Sequence, residues 1–285
     1  MICLTGDIHH LSLRINEHSY LPEGDSETAV AERYLHLIEE FGLKATFYVT
    51  GRALDEEWPQ LRPLADSPLV EIGGHTYSGL PRSAWSALRS RLTGRPTVSH
   101  ASSPGPYHRQ LRDAARMVEA VARRTGRQLV SWRSHGLVRD RHTESILVRC
   151  GIRFISDELS WDKLLPESTP AGLISHPINV IMDHDHLYHA HRTPEYVERQ
   201  KARWGYAQDP TRESYPIEAW AELVRTQVQA IEERGGLATV LMHPLCMFIA
   251  DRFRAARRLL EFFAGRRCVW ASETAQFLPE GAHGA

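Results

Sequence analysis

The stretch KATFYVTG, residues 44–51, is a run of β-branched and aromatic residues that ends in a glycine. Such a run is typical of a buried β-strand. The preceding segment is amphipathic: apolar residues recur at helical spacing from Asp25 or Ser26, which can cap a helix, to about Phe41. Gly42 stands where helices commonly stop. The pattern predicts a helix followed by a strand.

The same alternation extends in both directions from this unit. Further strands are predicted at residues 2–5, 69–72, 129–133, 152–156, 173–182, 237–242 and 268–271, and further helices at residues 107–125, 141–150, 217–234 and 251–264. Strands that alternate with helices pair in parallel through right-handed crossovers. We therefore expect an α/β fold, a distorted (β/α) barrel with about seven parallel strands, in one domain over residues 1–285. A doubly wound open sheet is the alternative.

Composition and charge exclude several classes of protein. The net charge is −1 and the hydrophobic fraction is 42%, which allows a sizeable core but is not the basic balance of a nucleic-acid binder. The sequence has no apolar run of the roughly 18 residues that a membrane span needs, and no leader pattern at Met1. Its four cysteines form no CxxC pair, which predicts reduced thiols. We expect a cytoplasmic protein that acts on a small molecule or carbohydrate, without nucleic-acid or membrane partners; an oligomer is compatible with the sequence.

Polar side chains follow several of the predicted strands. In a parallel barrel the carboxyl ends of the strands face one shared pocket. Five strands carry such residues: Asp7, His9 and His10 after the first, His75 after the third, Arg133 and His135 after the next, Asp157, Trp161 and Asp162 after the following one, and His243 near the end. One such residue alone is more often a turn or a cap. Five sets at the same end of a barrel predict a functional site.

Two of these stretches carry a family resemblance. KATFYVTG and EIGGHTYS, residues 71–78, resemble the strings ATFFVTG and EIGNHTYSH of the NodB-like polysaccharide deacetylases. Residues 132–133, 156–162 and 240–244 resemble the arginine, aspartate–tryptophan and Leu-x-His motifs of that family, in the same order. The resemblance extends over about residues 1–275. It implies a (β/α) barrel that binds a divalent metal, usually zinc or a related ion.

The resemblance also implies roles for individual residues. Asp7 takes the position of the general base, His75 that of a metal ligand, and His243 that of the general acid that protonates the leaving amine. Arg133, with Asp157 or Asp162, would hold and tune the base and the acid. The chemistry is consistent with these roles, since amide hydrolysis needs an activated water, a carboxylate to take its proton and a group near neutral pKa to give one.

Two departures from the family pattern affect the metal ligands. Gly79 stands where the family has a second ligating histidine, and Ile8 where it has a second aspartate. On an Asp-x-Asp alignment His9 takes the ligand position instead. With His9 and His75, the third ligand would be His10, Asp7, His135 or a histidine of residues 184–191, and we take His10 first. Imidazole-rich sites suit zinc, with nickel, iron and cobalt as alternatives; water activation without a metal is also open.

The stretch DHDHLYHAH, residues 183–191, is rich in histidine. It lies in one of two long connections, residues 76–106 and 183–215, and long ordered connections are usually functional loops. On an extended chain His184 and His186 would share one face. We predict a lid in which His184 and His186, together with His135 and Trp161, contact the substrate or the metal. A solvated polar loop is the alternative.

Three functions remain open from the sequence. The first is a metal-dependent hydrolase of a C–N amide bond that deacetylates an N-acetylated sugar or a carbohydrate-like metabolite. The second is a cyclic amide hydrolase, since His243-Pro244 resembles the allantoinase and imidase branch of the family. The third is an inactive carbohydrate-binding or interaction barrel. The presence of Asp7, His75, Arg133 and His243 together favours an enzyme.

Overall fold

The computed structural model describes residues 1–13, 15–79, 104–204 and 213–279. Residues 80–103 and 205–212, in the two long connections, lie outside this description. Eight strands of the described chain form one curled sheet: β1 Ile2–Ile8, β2 Ala45–Val49, β3 Val70–Gly74, β4 Ser131–Trp132, β5 Phe154–Ile155, β6 Glu167–Ser168, β7 Ile174–Ser175 and β8 Ala238–Leu241. Their order is β6-β7-β5-β4-β3-β2-β1-β8. All neighbours are parallel except β6 and β7. The predicted α/β barrel is confirmed, with one antiparallel edge strand that the alternating pattern does not reveal.

Helices cover this sheet. They are α1 Glu27–Glu40, α2 Gly51–Glu56, α3 Trp58–Asp66, α4 Tyr107–Thr125, α5 Thr143–Arg149, α6 Asp183–His186, α7 Pro194–Trp204, α8 Ile217–Glu233, α9 Pro244–Asp251 and α10 Arg254–Ala264. The Ser26 hydroxyl caps α1 by accepting a hydrogen bond from the Ala29 amide at 3.2 Å, because the first amides of a helix lack intrahelical partners. None of the described helices is long and apolar enough to cross a membrane.

Three predicted elements differ from the structure. The predicted helix 251–264 begins three residues later, at Arg254, because Arg252 and Phe253 adopt left-handed backbone angles that separate it from α9, which ends at Asp251. The predicted strand 173–182 is ordered as a strand only at β7. The predicted last strand reduces to one bridge between Ile2 and Cys268, after which the chain forms a 3₁₀ helix, Ala271–Phe277.

The two faces of β1 have different environments. Ile2, Leu4 and Ile8 are buried in the main apolar cluster, whereas Thr5 and Asp7 bond to the guanidinium of Arg133. Alternate residues of a strand point to opposite faces. The strand therefore buries its even-numbered apolar residues and directs Thr5 and Asp7 into the barrel.

The side chain of Asn179 bridges the gap between β8 and the other edge of the sheet. Its amide nitrogen donates to the carbonyls of Lys163 and Leu237, each at 3.0 Å, and its oxygen accepts from the Thr239 amide at 2.9 Å. The Leu237 amide also donates to the Leu164 carbonyl at 2.8 Å. The Asn179 side chain thus links β8 to the segment before β6, two parts of the chain that do not pair as strands.

The four cysteines are free thiols, as their spacing predicts. Cys3 and Cys246 are buried, and Cys150 and Cys268 are partly exposed. Cys246 lies in α9, one turn after His243, which brings a thiol close to the strand-end residues described next.

Candidate active site

Asp7 ends the inward-facing row of β1 and is bound by arginine. Its Oδ1 accepts a hydrogen bond from Arg133 Nη1 at 2.9 Å. Arg133 is fully buried and also donates to the hydroxyls of Thr5 and Ser156, at 2.9 and 2.8 Å. Burial opposes ionisation of Asp7, but the charge of Arg133 outweighs it and holds the pKa of Asp7 well below its usual value. Asp7 is therefore an ionised carboxylate.

Three histidine rings, which we call the imidazole triangle, lie beside Asp7. The ring centroids of His9, His75 and His135 are 5.1 to 5.2 Å apart, and each pair meets edge to face. Their ligand nitrogens all lie within 4.8 Å of one another. His9 follows β1, His75 follows β3 and His135 follows β4, so the triangle is assembled at the carboxyl ends of three strands.

Hydrogen bonds orient two of these rings. His75 Nδ1 lies 2.9 Å from the Arg133 carbonyl, an acceptor, so it carries the proton and its Nε2 has the lone pair. His9 Nδ1 lies 3.1 Å from Glu27 Oε1, whose other oxygen lies 3.0 Å from His18 Nε2. Metal-binding histidines typically use one nitrogen for the ion and the other for such a carbonyl or carboxylate.

The protonation states also suit a metal site. Burial lowers the pKa of His75 to about 4, and burial followed by the charge of His9 holds the pKa of His135 well below its usual value. Both rings are therefore neutral at pH 7, the form that ligates. Burial lowers the pKa of His9, but Glu27 raises it by more, and an ion would compete with that proton.

His243 lies on the other side of Asp7, and Asp183 holds it. His243 Nδ1 lies 2.6 Å from Asp183 Oδ1, and its amide donates to Asp183 Oδ2 at 2.5 Å. Burial lowers the pKa of His243, but Asp183 and then Asp7 raise it well above the usual value. Asp7 Oδ2 lies 3.6 Å from His243 Nε2 and 3.7 Å from His75 Nε2. A carboxylate base and a protonated imidazole thus lie next to three imidazoles that could hold an ion.

The two departures in the metal motif have structural explanations. Gly79 has a φ of +67°, and a Cβ there would lie 2.7 Å from the Leu13 side chain. A histidine at this position would therefore be both strained and obstructed. Ile8 is buried in the apolar cluster and does not face the site. His9, two residues after Asp7, lies in the imidazole triangle instead. His135 provides the third imidazole of the triangle.

Two of the predicted site residues lie elsewhere. His10, the first choice for third ligand, hydrogen bonds through Nδ1 to Thr50 Oγ1 at 2.9 Å and is not part of the imidazole triangle. Asp162 is exposed. These positions differ from the prediction because a residue's place after a strand does not fix the direction of its side chain.

Asp157, predicted together with Asp162 to help Arg133 tune the base and the acid, contacts the backbone of Ser134. Asp157 Oδ1 accepts from the Ser134 amide at 2.6 Å, and burial raises the pKa of Asp157 to about 6. The partner of His243 is Asp183 instead. Trp161 is half-buried and packs against the apolar core.

The two histidines of the predicted lid, His184 and His186, lie in different places. The His184 ring lies 5.7 Å from the His243 ring, beside the site. His186 is buried, and its Nδ1 lies 3.0 Å from the Glu213 carbonyl. The two do not share a face as on an extended chain, because residues 183–186 form the short helix α6.

Sequence reasoning missed the roles of Asp183 and Glu27. Asp183 stands 60 residues before its partner and Glu27 stands 18 residues after its partner. Asp183 is the first residue of the histidine-rich stretch, and its place there was the one sequence feature that could have indicated its contact with His243. Glu27 carries no motif; it lies in the first turn of α1, where a carboxylate is an ordinary helix-start residue.

Residues 20–155 match the family described as polysaccharide deacetylase. No curated protein matches the chain in sequence. A protein from Mycobacterium smegmatis described as a polysaccharide deacetylase is 18% identical, with a TM-score of 0.64 over 98% of this chain and 91% of that one. The Puue allantoinase is 12% identical, with a TM-score of 0.59 over 97% and 88%. A CE4 family pseudoenzyme from Bacillus anthracis is 12% identical, with a TM-score of 0.52 over 98% and 66%.

These likenesses at low identity show a shared fold and do not assign a substrate. The described residues also include groups of His, Cys and Asp side chains that could hold a metal ion. The family match over residues 20–155, together with the shared barrel, confirms the resemblance to the polysaccharide deacetylases and supports a hydrolase that acts on carbon–nitrogen bonds.

Proposed function

We propose that this chain is a metal-dependent deacetylase that hydrolyses the amide of an N-acetylated sugar or a carbohydrate-like metabolite. The observation that carries the proposal is the imidazole triangle beside the Asp7–Arg133 and His243–Asp183 pairs. His9, His75 and His135 would hold the ion, zinc or a related divalent metal, because three imidazoles with an open position are a common catalytic donor set.

The residues around the triangle have complementary tasks. A bound ion would lower the pKa of water toward about 7 and polarise the acyl carbonyl. Asp7, ionised and anchored by Arg133, would take the proton of the attacking water. His243, protonated because of Asp183, would give a proton to the departing amine as the C–N bond breaks, so that acetate and a free amine result.

A second candidate is the opening of a cyclic amide. His243 is followed by Pro244, which begins α9, and this dipeptide is the feature that resembles the allantoinase and imidase branch. The same base and acid would serve that reaction, but the carboxylate and the amine that result would both belong to one product molecule.

The test measures metal and turnover on the same variants. The full chain is stripped with a chelator, reloaded with zinc and analysed by elemental mass spectrometry as wild type, His75→Ala and His135→Ala, with His10→Ala as the matched control. We expect each triangle variant to hold one ion fewer per chain than wild type and His10→Ala to hold the same number. Circular dichroism checks that each variant is folded.

Activity is then followed as acetate release from N-acetylglucosamine oligomers and as ring opening of a cyclic ureide. Reloading should restore acetate release, and Asp7→Asn should lower turnover by about 100-fold or more. Ring opening without acetate release would favour the second candidate. Equal turnover of stripped and reloaded enzyme, or loss of the ion in His10→Ala but not in His135→Ala, would refute the proposed site.

A further inference from the structure

A second group of potential ligands lies beside the active site. His184, His189 and Cys246, which we call the His–Cys cluster, have ligand atoms that all lie within 4.8 Å of one another. His184 and His189 belong to the histidine-rich stretch, and Cys246 lies in α9. The mechanism above uses none of these three residues.

One nitrogen of the His189 ring makes no hydrogen bond among the described residues. Its Nδ1 lies 2.9 Å from the Leu187 carbonyl, so this nitrogen carries the proton and Nε2 has the lone pair. Nε2 is buried and has no hydrogen-bond partner among the described residues, and the whole residue is only 6% exposed. A buried polar atom without a hydrogen bond destabilises the fold, and a cation bound at Nε2 would remove that cost.

The surrounding charge is favourable for a cation. Glu17 is 4% exposed, and its Oε1 lies 3.3 Å from His191 Nδ1. Burial raises the pKa of Glu17, but His184, followed by a backbone hydrogen bond, His191 and His189, lowers it by more. Asp183, the partner of His243, precedes His184 directly. Two carboxylates therefore accompany two imidazoles and a thiol.

We propose that the His–Cys cluster is a second metal site, separate from the imidazole triangle, that takes a zinc-class divalent ion. Two imidazoles and one thiolate are a donor set that zinc prefers. Binding would displace the proton of the Cys246 thiol, since the thiolate is the ligating form. His184 is half-buried, so the cluster is reachable from one side.

Such an ion would fasten the histidine-rich stretch to α9. Asp183 and His184 are neighbours in α6, while His243 and Cys246 flank the start of α9. A metal bound by His184 and Cys246 would therefore hold Asp183 against His243. In this arrangement the second ion would stabilise the contact between Asp183 and the general acid His243. Only this effect on His243 rests on the proposed function; the metal site itself does not.

Cobalt distinguishes the two sites because only the cluster has a thiolate. The full chain, reloaded with Co²⁺, should show a thiolate-to-cobalt charge-transfer band. Cys246→Ser should remove this band and one ion per chain, whereas the matched variant Cys150→Ser should keep both. His75→Ala should lose the triangle's ion and keep the band, so a failure of the proposed active site would not resemble a failure of this one.

His184→Gln provides a second variant in case Cys246→Ser unfolds. It should weaken binding of one equivalent by about 10-fold or more while the other equivalent is retained. Absence of any Cys246-dependent band in wild type, or a metal count unchanged by both Cys246→Ser and His184→Gln, would overturn the proposal.

Discussion

At the scale of single residues, the site is governed by which charged group contacts each catalytic candidate. Asp7 and His243 lie 3.6 Å apart but have pKa values shifted in opposite directions. Arg133 favours the carboxylate and Asp183 favours the imidazolium, in both cases against the effect of burial. Opposite shifts of neighbouring groups are the arrangement that lets one act as base and the other as acid.

The first prediction at this scale concerns Asp183→Asn. His243 gives its proton only when protonated, and Asp183 is the main cause of its raised pKa. Removing that charge lowers the pKa of His243, so the alkaline limb of the pH–kcat profile should move to lower pH. Turnover at neutral pH should fall by about 10- to 100-fold.

Asp185→Asn is the control for this variant, because Asp185 lies in the same helix and forms an ion pair with Arg192 at 3.9 Å. Its profile should match that of wild type. An unchanged alkaline limb in Asp183→Asn would mean that His243 is not the group that protonates the leaving amine.

At the scale of elements, the first turn of α1 contributes a carboxylate that contacts one histidine of the imidazole triangle. Glu27, in the first turn of that helix, contacts His9 through one oxygen and His18 through the other. Burial raises the pKa of Glu27, but His9, followed by His18, lowers it to about 2. An ionised carboxylate therefore fixes the His9 ring with Nε2 toward the triangle. Helical spacing predicted α1, but it did not indicate what the Glu27 carboxylate would contact.

Glu27→Gln should weaken the triangle's hold on its ion. Loss of a carboxylate behind a ligating histidine typically reduces metal affinity by about 10- to 100-fold. Competition with a chelating dye gives the dissociation constant of each variant. Glu32→Gln, on the same helix, is the control and should bind as wild type does; equal affinity in all three proteins would show that His9 does not ligate the ion.

At the scale of the whole molecule, side-chain hydrogen bonds of Asn179 connect two parts of the barrel that are not paired as strands. Asn179 joins β8 to the segment that precedes β6 through three hydrogen bonds. Since Asn179 is only 4% exposed, its partners would be left unsatisfied in the absence of the amide. The network also adjoins the chain that continues to Asp183, the residue that contacts His243.

Asn179→Ala should lower the free energy of unfolding by about 3 kcal/mol, since buried unsatisfied groups each cost roughly 1–3 kcal/mol. Urea denaturation followed by circular dichroism measures the change. Asn16→Ala, at an exposed position, is the control and should be neutral. A loss under about 0.5 kcal/mol in Asn179→Ala, the size typical of surface substitutions, would mean that the barrel edges hold together without this side chain.

The sequence by itself determined the alternation of strands and helices, the barrel and the positions of Asp7, His75, Arg133 and His243. These features depend on local spacing: apolar periodicity sets the elements, and parallel strands bring their carboxyl ends to one rim. The cap at Ser26 and the helix stop at Gly42 were readable for the same reason, because they follow from local backbone geometry.

Only the tertiary structure decided which side chains meet at that rim. His135 rather than His10 completes the imidazole triangle, and Asp183 rather than Asp157 or Asp162 holds His243. Leu13 fills the space beside Gly79. Such contacts join residues far apart in the chain, and their partners depend on side-chain direction and packing space, which spacing along the sequence does not encode.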